Sequence, residues 1–145
     1  MQVRHILSDK GGEVIGIGRD ATLAEAARLL AERRIGALVV RDETGALAGI
    51  LSERDMVRAL AAGGAAALDQ TVARHLTRDV VTCALSDGTE ILMETMTTGR
   101  FRHLPVLDEH GQLCGLVSIG DVVKSRIAET EREAQDLRVY ISATA

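Results

Sequence analysis

The sequence sets a hydroxyl and a carboxylate at the same spacing twice, as Ser52-Glu53-Arg54-Asp55 and Ser118-Ile119-Gly120-Asp121. Each copy follows a glycine and two aliphatic residues, Gly49-Ile50-Leu51 and Gly115-Leu116-Val117, so the signature recurs 66 positions on, from 49 to 115. An apolar run that ends in Ser-x-x-Asp reads as a strand handing over to a helix. There the serine oxygen and the aspartate carboxylate can close a capping box over the first free amides. The same junction suits a ligand. Helix-start amides and the positive end of the dipole favour an anion, and a carboxylate can accept hydrogen bonds from paired hydroxyls such as those of a ribose. The two roles are compatible, and local chemistry alone supports the cap more directly.

Other polar residues are less specific. Arg54 lies inside the first Ser-x-x-Asp, and Arg102-His103 precede an apolar run in the second half. Arginine recognises phosphate by a planar, bidentate fork, but each of these residues reads equally well as solvated surface. His5, His75, His103 and His110, with Cys83 and Cys114, show neither metal-ligand spacing nor a CxxC pair. No nucleophile is accompanied by an evident base and orienting group, so catalysis is not expected.

The elements that must position the repeated pair follow from periodicity. Glu13 to Ile17 reads as a short strand, and Thr22-Leu23-Ala24-Glu25 as a capping box opening a helix. Leu23, Ala26, Ala27 and Leu30 give that helix one apolar face. Ala37 to Val40 is a buried strand, Asp42-Glu43-Thr44-Gly45 a turn, and Leu47 to Leu51 the returning hairpin partner. A helix then runs from Ser52 to about Leu60. The second half repeats this order: strand Val80 to Cys83, a helix opened by Asp87-Gly88-Thr89-Glu90, strand Leu104 to Leu107, turn Asp108 to Gly111, strand Leu113 to Val117 and a helix from Ser118. The expected fold is α+β: two β-α-β-β-α repeats at 7–62 and 75–130, joined by a linker at 63–74 around Gly63-Gly64-Ala65-Ala66-Ala67. A helical extension follows at 131–145. In that last helix Val123, Ile127, Thr130, Ala134, Leu137 and Ile141 are spaced 4-3-4-3-4, a heptad seam. It can pack on the protein's own body or against a partner subunit.

Bulk properties narrow the function. A 145-residue chain buries roughly 68–70% of its unfolded surface, whereas a repeat of about 60 residues is marginal by itself. A net charge of −4 argues against nucleic acid, and one Phe, one Tyr and no Trp leave no platform for stacked bases. No apolar run approaches the ~20 residues of a membrane span, and Met1-Gln2-Val3-Arg4-His5 lacks the apolar core of a signal peptide. A reduced, cytoplasmic protein is expected.

The tandem β-α-β-β-α units, the recurring Gly-h-h-Ser-x-x-Asp, and Arg102-His103-Leu104-Pro105-Val106 on the second strand of the second copy resemble the cystathionine-β-synthase (CBS) domain. Leu51-Ser52-Glu53-Arg54-Asp55 and Arg100-Phe101-Arg102-His103-Leu104-Pro105-Val106 resemble, more specifically, stand-alone bacterial CBS-pair proteins. The resemblance implies a pseudo-twofold module with two clefts between the repeats for AMP, ADP, ATP, NAD or S-adenosylmethionine, which often pairs into a homodimer. It implies that Asp55 and Asp121 hold the ribose and that Ser52 and Ser118 meet phosphate, where Arg54 in copy one and Arg102 and His103 in copy two are the candidate anchors. Ile17 in copy one, and Val81, Thr82, Cys83 and Pro105 in copy two, would enclose the adenine. The implied function is a non-catalytic regulatory module that signals nucleotide occupancy to a partner protein. The alternative is a structural homodimerisation module with vestigial clefts; a small enzyme is a distant third. The chain departs from the family pattern where a proline usually enters the first helix: Arg19 and Leu85 stand there instead.

Overall fold

The computed structural model describes residues 1–144. Their contacts divide into two compact units, one formed by Glu13–Val81 and the other by Met1–Gly12 together with the chain from Thr82 onward. Each contains a three-stranded mixed sheet covered by helices, as the α+β expectation holds. Ala145, the last residue of the expected extension, lies outside the described residues.

In the contiguous unit, β1 (Gly16–Gly18) runs parallel to β2 (Ala37–Arg41) after the crossover helix α2 (Leu23–Arg33). Thr22 caps α2 as the sequence suggests: its hydroxyl accepts from the Glu25 amide at 3.1 Å, and the Glu25 carboxylate accepts from the Thr22 amide at 3.1 Å. Strand β3 (Leu47–Ser52) returns antiparallel to β2, and α3 (Glu53–Gly63) follows without a loop. The hairpin turn is held by Asp42, whose Oδ1 accepts from the Thr44 and Ala46 amides. Leu23, Leu30, Leu38, Val40, Leu51 and Met56 fill the space between sheet and helices.

Residues 63–74, expected as a linker, are built into this unit. A 3-10 turn (Gly64–Asp69) packs on α2 and α3, and the short helix α4 (Val72–His75) packs on α3. Ala67 and Val72 are fully buried in its core. An alanine-rich stretch looks featureless by composition, yet alanine buries without side-chain entropy loss and so suits a tight helical connection.

The other unit repeats the plan with β4 (Cys83–Ala84), α5 (Thr89–Gly99), β5 (His103–Leu107), β6 (Leu113–Ser118) and α6 (Ile119–Thr144). Its remaining wall is α1 (Val3–Lys10), a helix absent from the sequence reading, which contributes Val3, Ile6 and Leu7 to the core. The equivalence of the sheets is close. Val40 pairs Gly49 and Val106 pairs Gly115, with a bulge after each valine. Strand β4 is shorter than β1 for a local reason. The Val39 amide donates to the Ile15 carbonyl at 3.2 Å, and the corresponding residue, Pro105, has no N–H to give.

Both signature glycines are explained by close approach. A Cβ on Gly115 would lie 2.7 Å from a methyl of Leu7 on α1, and one on Gly49 would strike the Thr77 carbonyl and Leu76 just after α4. The first residue of the repeated motif therefore leaves room for a segment that crosses the sheet.

Candidate functional site

Both Ser-x-x-Asp segments form the cap expected of them. In the contiguous unit the Ser52 amide and hydroxyl donate to Asp55 Oδ2 at 2.8 and 3.1 Å, and the Asp55 amide donates to Ser52 Oγ at 3.4 Å. In the other unit the Ser118 amide donates to Asp121 Oδ2 at 2.9 Å, and the Asp121 amide donates to Ser118 Oγ at 3.1 Å. The extended backbone of β3 and β6 aims the serine over the helix start, so the strand-to-helix junction itself creates the geometry.

Beyond the cap the two carboxylates differ. Asp55 is buried, with 7% of its side chain exposed, and its second oxygen accepts a 3.2 Å hydrogen bond from Thr77 Oγ1. Thr77 is fixed in turn by paired backbone hydrogen bonds with Ile50, at 2.8 and 3.0 Å. The nearest cation, Arg58, stands 3.9 Å away. Asp121 keeps 24% of its side chain exposed, and Lys10 Nζ donates to its Oδ2 at 2.7 Å and to the Leu116 carbonyl at 3.0 Å. Partial burial pushes the Asp121 carboxyl upward, but the Lys10 and Ser118 hydrogen bonds outweigh it and hold the group below the ordinary aspartate range. One junction is closed by a neutral hydroxyl, the other by a movable cation.

The remaining residues singled out by the sequence fall into two groups. Arg102 and His103 run beside the Ser118 junction: His103 pairs Ser118 across β5 and β6, and the Arg102 carbonyl accepts from the Ile119 amide at 2.8 Å. The Arg102 side chain is exposed, as is that of Arg54 in the first turn of α3. Among the residues assigned to adenine, Ile17 and Cys83 hold the same register, opposite Val40 and Val106. Ile17 packs partly on its core, and the Cys83 side chain belongs to the core of its unit, where burial pushes the thiol up to about 12. Pro105 is buried on β5, whereas Val81 and Thr82 are exposed just before β4.

Lys10 and Thr77 were not among the residues chosen from the sequence. Lys10 lies 111 positions from Asp121, and a lone lysine carries no local signal. Thr77 had one: Val72 and Leu76-Thr77 match Val3 and Leu7-Ser8 in spacing, which marks two equivalent crossing segments.

Two matches to the CBS domain family model cover residues 3–62 and 72–128. The mitochondrial CBS domain-containing protein CBSX3 of Arabidopsis thaliana is 33% identical over 147 residues, which span 96% of this chain and 71% of that protein. Other relatives are much longer: the chain spans 22% of Arabidopsis CBSCBSPB5, at 35% identity over 84% of this chain. Among solved structures, a CBS-domain protein of Agrobacterium tumefaciens matches with a TM-score of 0.84 and 49% identity, covering 86% of this chain and 92% of that one. The CBS pair of protein MJ0100, in complex with 5-methylthioadenosine and S-adenosylmethionine, matches at 0.78 and 25%, covering 89% and 98%. A Pyrobaculum aerophilum CBS protein complexed with AMP matches at 0.74 and 26%, covering 83% and 89%. The recurrent junctions, the same sheet topology in each unit and these matches agree: the chain belongs to the CBS domain family, with two CBS domains in tandem.

Proposed function

We propose that the protein is a non-catalytic regulatory module for an adenosyl ligand, and that Asp121 is the group that grips the ribose. The observation that carries this reading is the partly exposed Asp121 carboxylate, held in its charged form at the start of α6 by Lys10 and Ser118. A ribose hydroxyl replaces one N–H donor by one O–H donor, so the exchange leaves the carboxylate satisfied. The released Lys10 ammonium then supplies a positive charge for a phosphate, with Arg102 and His103 at the start of β5 opposite Ser118. Relatives crystallised with AMP, and with S-adenosylmethionine and 5-methylthioadenosine, support an adenosine-containing ligand. Occupancy changes the conformation, and a partner protein reads the change.

In the contiguous unit a different role is favoured. Both oxygens of Asp55 are engaged by Ser52 and Thr77, and the group is buried, so Asp55 serves as a structural cap.

Thermal melting with AMP, ADP, ATP, NAD or S-adenosylmethionine at millimolar concentration tests the reading. A ligand at 100 times its dissociation constant adds about 2.7 kcal/mol, a shift of several degrees. Asp121→Ala is expected to weaken binding roughly 10- to 150-fold, the loss of one charge-assisted hydrogen-bonding group. No shift with any of the five, or full affinity in Asp121→Ala, defeats the proposal.

A further inference from the structure

Helix α6 outruns its own unit. Up to Glu129 one face is held: Val122 and Ser125 are buried, and Arg126 and Glu129 are half-buried, against α1, α5 and β6. From Thr130 to Thr144 every residue is exposed. That free stretch is about 22 Å long at 1.5 Å per residue. A lone helix of this length is marginal in water, so it needs a partner surface to persist.

The surface it offers is ordered. Ile127, Ala134 and Ile141 take the a positions of a heptad, and Val123, Thr130 and Leu137 the d positions. Ile127, Leu137 and Ile141 are 56, 58 and 56% exposed. The buried Val122 and Ser125 fall at c and f, on the other side of the helix. The body therefore holds the back of α6 and leaves the seam facing away. Val139 lies off the seam, at an f position.

The charges beside the seam select an occupant and its direction. In a parallel pair each g residue meets the e residue five positions on in the partner. That rule sets Arg126 against Glu131 and Glu133 against Arg138, both attractive and each occurring twice. A fully overlapped antiparallel pair instead brings Lys124 against Arg138, Glu131 against its own copy and Glu133 against its own copy. All three contacts are repulsive. Isoleucine at a with leucine at d also favours two strands.

We propose that α6 pairs in parallel and in register with α6 of a second copy of this chain, through the seam from Val123 to Ile141. Arg126 already donates to Glu129 at 2.9 Å, so Glu133 and Arg138 are the pair that sets direction. The seam is short and its middle layers are Thr130 and Ala134, which makes the dimer dependent on concentration.

The full-length chain with Leu137→Cys tests the geometry, because only a parallel seam brings position 137 to its own copy within the 4.4–6.8 Å Cα separation, roughly, of a disulfide. Mild oxidation is expected to give a covalent dimer on a non-reducing gel, absent in the parent chain, whose native Cys83 and Cys114 are the control. A second arm measures dimer dissociation by sedimentation. Glu133→Lys is expected to raise the dissociation constant about tenfold, as two attractive pairs become repulsive, and the double variant Glu133→Lys/Arg138→Glu to restore it. A monomeric parent chain overturns the proposal. So does cross-linking of Leu137→Cys only to Ile127→Cys, the antiparallel partner, or a double variant as weak as the single one.

Discussion

Asp55 and Asp121 share a motif, a cap and a place in the fold, and differ in what completes their coordination. Asp55 is closed off by Thr77, a neutral donor anchored to the backbone of β3, and is buried. Asp121 is completed by Lys10, a cation on a flexible stem, and remains partly open to solvent. Duplication gave the two units the same junction; the crossing segment decides whether a hydroxyl or an ammonium completes it. After Leu76 the chain leaves the helix and runs extended beside Ile50, which brings the Thr77 hydroxyl to the carboxylate. After Leu7 the helix continues another turn, and that turn delivers Lys10.

The comparison breaks most readily by truncating each carboxylate. Asp55→Ala is expected to lower stability by about 2–3 kcal/mol, because it removes a buried carboxylate that accepts from the Ser52 amide and hydroxyl and from Thr77. Asp121→Ala should lower it by only about 1 kcal/mol, since water reaches its partners. Urea denaturation of the two variants measures the difference, and equal losses would erase the distinction drawn between cap and clamp. Thr77→Val comes next, at about 1 kcal/mol from one lost hydrogen bond. Nucleotide affinity should not change with it, which melting with and without ligand would show.

The smallest expected effect sharpens the electrostatic half of the comparison. The folded-state pKa of Asp121 is lowered, so its contribution is complete above the unfolded value and disappears as pH falls through the folded one. Lys10→Met removes the principal partner and leaves burial opposed by the Ser118 hydrogen bonds alone, so the carboxyl rises from its value in the parent chain. The variant should then lose less stability than the parent chain between pH 6 and pH 3. Urea midpoints across that range report it; parallel curves would mean that Lys10 does not set the Asp121 charge.

Local signals were legible in the sequence and long-range ones were not. The Ser-x-x-Asp caps, the Thr22–Glu25 box and the Asp42 turn depend on residues within four positions of one another, and all three form. The role of Gly49 and Gly115 depends on segments 28 and 108 positions away, at Thr77 and Leu7. Helix α1 was missed because Val3, Ile6 and Leu7 make too short an apolar pattern to stand out from the polar residues around them. The resemblance implies that Cys83 lines an adenine pocket; its strand register places the side chain in the core of its unit, a placement that depends on long-range packing. The exposed seam of α6 illustrates the opposite limit: its heptad spacing was plain, but only the structure shows that the unit's own body takes the other face.

The split composition of the unit that contains Asp121 has a consequence for the order of events during synthesis. The unit Glu13–Val81 is contiguous and can close as soon as it leaves the ribosome. Helix α1 is made before that unit, yet its partners on β6 are made more than a hundred residues after it. At ribosomal rates that interval is about 5–20 s. Throughout it Val3, Ile6 and Leu7 have no sheet to cover, and such long-range closure is slow to nucleate.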